Sequence, residues 1–158
     1  PFNEGWGQFD AARIGNAVKA ADPSRHCDHA SGWYDQKAGD FRSIHRYTIP
    51  VQVPKKENNR AFVLSEFGGY SHIIDGHVWN KAKSFGYMMY NSKESLTKAY
   101  KKLFGKQIIP NIAKGLSATV YTQVSDVEFE VNGIFTYDRE LIKIDEDTIK
   151  QINSKMKY

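Results

Sequence analysis

Residues 61–65 read Ala-Phe-Val-Leu-Ser, an unbroken apolar run with Glu66 directly behind it and Phe67-Gly68-Gly69 beyond. A strand with one face in water alternates apolar and polar residues. A continuous run belongs to a strand covered on both faces, as in a parallel sheet flanked by helices. A carboxylate placed right after such a run has to be paired or put to use, because an uncompensated charge there is costly.

The rest of the chain follows the same plan of short strand, polar loop, then helix or irregular linker. Residues 26–30 and 43–47 are candidate strands ending at Ser31-Gly32-Trp33 and Ile49-Pro50, and residues 118–123 are a fourth. Residues 9–21 carry helical spacing, with Pro23 beyond as a stop. Residues 91–104 are the clearest helix, with Asn91 at the cap, Glu94 at the capping-box position, and Leu96, Ala99, Tyr100 and Leu103 along one face. Gly105 ends it, residues 108–114 form a second helical piece, and residues 147–156 a closing helix. Buried strands alternating with helices predict an α/β fold with a parallel sheet. Polar, functional-looking residues at several strand ends point to a TIM (β/α)8 barrel rather than a doubly wound sheet. Four strands make half a barrel, and a full one takes about 250 residues. The expectation for residues 1–158 is therefore the later part of a larger catalytic domain.

Composition narrows the class. Of 158 residues, 41% are hydrophobic and 25% charged, which fits a globular chain rather than a disordered one. No apolar run approaches the roughly 20 residues of a membrane helix, so no membrane partner is expected. The net charge of +4 arises partly from lysine clusters at Lys98, Lys101, Lys102 and Lys106 and at Lys143, Lys150, Lys155 and Lys157. Interspersed with acids, these read as solvated helix faces rather than a nucleic-acid surface. The lone Cys27 rules out an internal disulfide. Aromatics at 13% are plentiful, and carbohydrate sites use such rings as platforms for sugar C–H groups.

The second glutamate of interest stands near the start, in Phe2-Asn3-Glu4-Gly5-Trp6-Gly7-Gln8. Glu4 alone reads equally well as a helix N-terminal acid. Paired with Glu66, it supplies what acid-catalysed glycoside cleavage needs: a proton donor and a nucleophile or base, each ending a strand. The spacing admits three strands between them, so the two can face each other across a barrel mouth. His45 and Tyr47 share one face of their strand, either toward the pocket or in the core. Trp33 is a sugar platform or ordinary packing. Gln123, Asp126 and Glu128 follow the fourth strand and suit hydroxyl recognition, although Asp126 and Glu128 equally suit capping or bridging the loop. His26-Cys27-Asp28-His29 resembles a metal cluster, but alternation on a strand sends His26 and His29 to opposite faces. No metal or cofactor is expected there. His72, Asp75 and His77 read as a polar rim.

Together these stretches are similar to the C-terminal part of the catalytic barrel of family 2 glycoside hydrolases, the β-galactosidase, β-glucuronidase and β-mannosidase group. The resemblance rests on Phe2 to Gln8, Ala30-Ser31-Gly32-Trp33, His45-Arg46-Tyr47, Leu64-Ser65-Glu66-Phe67-Gly68-Gly69, and Tyr121 to Glu128 continuing through Asn132 to Arg139. It implies strands four to eight of the barrel with their helices. Glu4, ending strand four, would be the general acid/base. Glu66, ending strand seven, would be the nucleophile, held by Tyr47 on strand six. Asn3 would bond the sugar 2-hydroxyl, and Trp33, His45, Gln123 and Asp126 would contribute to substrate binding. The implied activity is retaining hydrolysis of O-glycosyl bonds in β-glycosides by double displacement, in carbohydrate metabolism. Glu130-Val131-Asn132 stands where the family's glucuronidases carry Asn-x-Lys, which argues against a glucuronide and leaves a β-galactoside as first choice. The alternative is a non-catalytic carbohydrate-binding derivative of the same barrel. A half-barrel has open edges, so the isolated fragment is expected to be inactive and to self-associate.

Overall fold

In the computed structural model, which describes residues 1–55 and 59–158 and only the backbone of Trp6, three parallel strands form the central sheet. In chain order the elements are α1 (Ala11–Ala21), β1 (Phe41–Arg46), β2 (Ala61–Gly68), β3 (Tyr70–Ser71), β4 (Met88–Met89), α2 (Lys93–Leu103), α3 (Ile109–Ile112), β5 (Leu116–Thr122) and α4 (Glu146–Asn153). The sheet runs β1-β2-β5, and β3 pairs with β4 in a separate two-residue ladder. The fold is mixed α/β with a small parallel sheet and three helices of two turns or more. Among the described residues there is no closed barrel.

The apolar run of β2 does what its composition requires. Phe62, Leu64 and Phe67 enter a core with Leu116 of β5, Leu96, Tyr100 and Leu103 of α2, and Ile144 and Ile152 around α4. Each such side chain withdrawn from water stabilises by about 1.5–3 kcal/mol. Strict alternation would send Leu64 and Phe67 to opposite faces. The ladder with β1 shows why they share one: Ile44 pairs with Leu64, but His45 pairs with Glu66, leaving Ser65 as an extra residue. This irregularity turns the last part of β2, so Phe67 rejoins the core while Glu66 comes beside His45.

α2 begins one residue later than its sequence suggests. Ser92, in extended conformation, is the cap; it accepts from the Ser95 amide at 3.1 Å, and Ser95 Oγ accepts from the Ser92 amide at 3.2 Å. Ser95 thus closes the capping box expected of Glu94. Nor does the helix break at Gly105. The chain widens into a π turn over Phe104–Ile108 and runs on into α3. Pro110 explains the widening, because it has no N–H to donate and its ring crowds the carbonyl four residues back.

The strand expected at residues 26–30 does not form as a ladder. Its backbone is engaged by Asp40 instead: the Cys27 amide donates to Asp40 Oδ2 at 2.7 Å, and the Cys27 carbonyl accepts from the Asp40 amide at 2.8 Å. Only Ala30 keeps a parallel bridge, to Phe2.

Candidate active site

Glu4 follows directly from that bridge. The Ser31 amide donates to the Phe2 carbonyl at 3.1 Å, Ser31 Oγ donates to Asn3 Oδ1 at 3.0 Å, and Gln8 Nε2 donates to the Asn3 carbonyl at 2.9 Å. These contacts pin the segment that presents Glu4. Gly32 comes close from the other side. It has φ +108°, and a Cβ there would stand 3.2 Å from Glu4 Cα and 3.4 Å from His45 Nδ1. Both the conformation and the space require glycine.

The two sequence-predicted glutamates meet at one imidazole. His45 Nδ1 lies 2.7 Å from Glu4 Oε1 and 3.2 Å from Glu66 Oε2. Glu4 Oε1 accepts from Nδ1, which therefore carries the ring hydrogen, and Glu66 Oε2 stands beside it as a charge contact. His45 is 2% exposed, and its Nε2 is buried without a partner. A carboxylate oxygen from each glutamate and a ring nitrogen of His45 lie within 4.8 Å of one another.

The Tyr47 hydroxyl donates to Glu66 Oε2, and Thr122 Oγ1 lies 3.3 Å from the same hydroxyl. Burial first, then the Glu66 carboxylate, pushes the Tyr47 phenol well above its usual range, so it stays protonated and donating. Its ring stacks on Tyr87, with centroids 3.9 Å apart and planes 6° from parallel. Gly69 makes room for the stack: with φ +63°, its Cβ would stand 2.5 Å from Tyr87 Cδ2. Burial also raises the Tyr87 phenol, followed by the charges of Glu4, Glu130 and Glu66. Tyr87 and Thr122 are site neighbours that the sequence does not single out: Thr122 lies in the Tyr121–Glu128 stretch without a role of its own, and Tyr87 belongs to no local motif, so its signal is spatial.

The remaining predicted residues lie in different surroundings. Trp33 is 51% exposed and borders Gly5, just after Glu4. Gln123 spends its amide hydrogens on Asn132 Oδ1 at 2.6 Å and Glu130 Oε2 at 3.1 Å. Asp126 is buried and takes the loop-bridging alternative: its Oδ1 accepts from Lys143 Nζ at 2.6 Å and from the Gly133 amide at 2.7 Å. Lys143 also donates to the Val131 and His72 carbonyls at 3.0 and 3.1 Å. This fully buried lysine corrects the view of it as a solvated charge. Desolvation pushes the Asp126 carboxyl up and the Lys143 amine down, and their mutual contact opposes both shifts.

Among the described residues, two clusters hold donors that suit a divalent cation: Glu4, His45 and Glu66, and His77, Asp138 and Glu140. In the second, His77 Nδ1 lies 2.7 Å from Asp138 Oδ2. The Thr136 hydroxyl, then the Glu140 amide and His77, hold the Asp138 carboxyl down to about 2. His26 is exposed beside Asp40 and His29 is buried, although the strand expected to separate them does not form. No protein-family model matches the chain, and no curated protein does.

Proposed function

We propose that the chain carries the acid/base and nucleophile of a retaining β-glycosidase of the family 2 type, acting on a β-galactoside. In this reading β1, β2 and β5 correspond to strands six, seven and eight of a (β/α)8 barrel, and the Phe2–Ala30 bridge is what strands four and five contribute. The sequential parallel order β1-β2-β5 supports that correspondence. The observation that carries the proposal is the pair Glu4 and Glu66, brought from distant parts of the chain onto one histidine nitrogen. Their approach within 4.8 Å suits the close carboxylate spacing of retaining enzymes, about 5–5.5 Å, rather than the wider gap of inverting ones.

The hydrogen bonds suggest how the roles divide. Glu66 Oε2 accepts from Tyr47 and lies beside His45 Nδ1, which leaves Oε1 to attack. Oε1 forms a bond to the anomeric carbon as the bond to the leaving oxygen breaks, and Glu4 gives its proton to that oxygen. In the second half, Glu4 takes a proton from water, the water oxygen bonds the anomeric carbon, and Glu66 departs as carboxylate. Asn3 and Trp33, beside Glu4, are the residues nearest to hand for reading the sugar.

Kinetics of the full-length protein test the division. Glu66→Gln abolishes turnover. Glu4→Ala slows aryl glycosides with poor leaving groups far more than those with good ones, and azide restores its activity on an activated substrate. Equal losses across the series, or no rescue, contradict the acid role. A second reading makes Glu4, His45 and Glu66 a metal centre, because three nitrogen and oxygen donors with an open position suit a catalytic divalent ion. The Tyr47 hydroxyl already donating to Glu66 Oε2, with His45 Nδ1 close by, fits a nucleophile better than a ligand. Hydrolysis abolished by a chelator and restored by zinc would favour the metal. A folded protein that binds galactosides without turnover would instead be the carbohydrate-binding derivative.

A further inference from the structure

Beyond Tyr47, against α2, lies a cavity of about 460 Å³. Four cations line it: Arg46 at the end of β1, Lys98 and Lys102 on α2, and Lys106 on the π turn. No aspartate or glutamate does. Among the described residues, none of the four makes an ion pair. Like charges one helical turn apart destabilise a helix, and successive turns set these lysines about 6 Å apart along the axis. An anion that bridges them removes that repulsion. The same cavity offers aromatic surface from Tyr70 and Tyr90, whose rings pack with centroids 5.4 Å apart. Tyr47 belongs to both places, for it lines the cavity while its hydroxyl holds Glu66.

We infer that this cavity binds an acidic sugar, a ring carrying sulfate or carboxylate, as a subsite next to the Glu4–Glu66 pair. The charge of the ligand follows from the unpaired cations and the ring from the aromatic surface. That the ring is a sugar rests on the glycosidase reading. A concave, ring-lined cavity favours a small glycan over the extended backbone of a nucleic acid, which needs a continuous basic track.

Calorimetric titration at fixed low salt tests the inference without hydrolysis. The probes are galactose, a sulfated galactose, galacturonate, inorganic sulfate and a short oligothymidylate. The protein is wild type and the triple variant Lys98→Gln/Lys102→Gln/Lys106→Gln, all three positions being exposed. Wild type binds one or both acidic sugars at least about tenfold tighter than galactose, and the sulfate and carboxylate arms show which group is preferred. The triple variant loses that margin while its melting temperature stays put, and added salt erodes the wild-type margin in the same way. Equal affinity for galactose and both acidic sugars overturns the inference. So does inorganic sulfate binding as tightly as the sulfated sugar, or oligothymidylate outcompeting both acidic sugars at the same lysines. The titration on Glu66→Gln separates the two readings: acidic-sugar binding that persists without turnover upholds this subsite on its own. Hydrolysis of a neutral galactoside with no acidic preference upholds the glycosidase and removes the subsite.

Discussion

Burial leaves His45 one working nitrogen. Nε2 is enclosed without a partner, and Nδ1 donates to Glu4 with Glu66 3.2 Å away. The imidazole therefore fixes the distance between two groups that would repel each other if both were ionised. Tyr47 adds a donor that burial keeps protonated. A hydrogen bond to a charged group is worth about 1.5–3 kcal/mol, so Tyr47→Phe is expected to lower kcat about 10- to 100-fold. The melting temperature moves little, because the ring and its stack on Tyr87 remain. A loss of stability with kcat intact would make Tyr47 a packing residue only. Asp126 and Lys143 illustrate a different use of charge. Each is inside only because the other is, and removing one alone leaves an uncompensated buried ion.

At the scale of elements, composition made β2, α2 and β5 legible, because an apolar run and a helical stripe are local patterns. The extra residue at Ser65 was not legible: it arises from the fit of β2 against β1, and it decides where Glu66 points. Residues 26–30 look like a strand in sequence, yet Asp40 takes the backbone hydrogen bonds of Cys27 in their midst. Lys143 offered a signal that passed unread, since its neighbours Ile142 and Ile144 mark a buried stretch. The helix start was misplaced by one residue because Asn91 and Ser92 are both good caps, and only backbone conformation separates them. Ser92→Ala is accordingly expected to cost about 1 kcal/mol in thermal or denaturant unfolding, and Asn91→Ala only a few tenths. The reverse order would restore the sequence-based assignment.

For the whole molecule, the sheet ends at β1 on one side and β5 on the other. Val120 of β5 is 56% exposed. Unpaired backbone beside exposed apolar side chains invites pairing with another chain, so the 158-residue chain by itself is expected to self-associate in sedimentation velocity. Val120→Lys on β5 should shift it toward monomer; a monomer already in the unmodified chain would show that the edges are adequately shielded. Of the proposed site, Glu4, His45, Tyr47 and Glu66 were legible as motif residues and do converge, whereas Asp126 is committed to Lys143. The most direct test of the central claim is covalent capture. The full-length protein is incubated with an activated β-galactoside fluorinated beside the anomeric carbon, then digested with trypsin. The predicted result is a sugar adduct on the peptide of residues 61–81, located at Glu66 and absent from Glu66→Gln. A turning-over enzyme that yields no adduct, or one that carries it on another residue, would contradict the assignment of Glu66 as nucleophile.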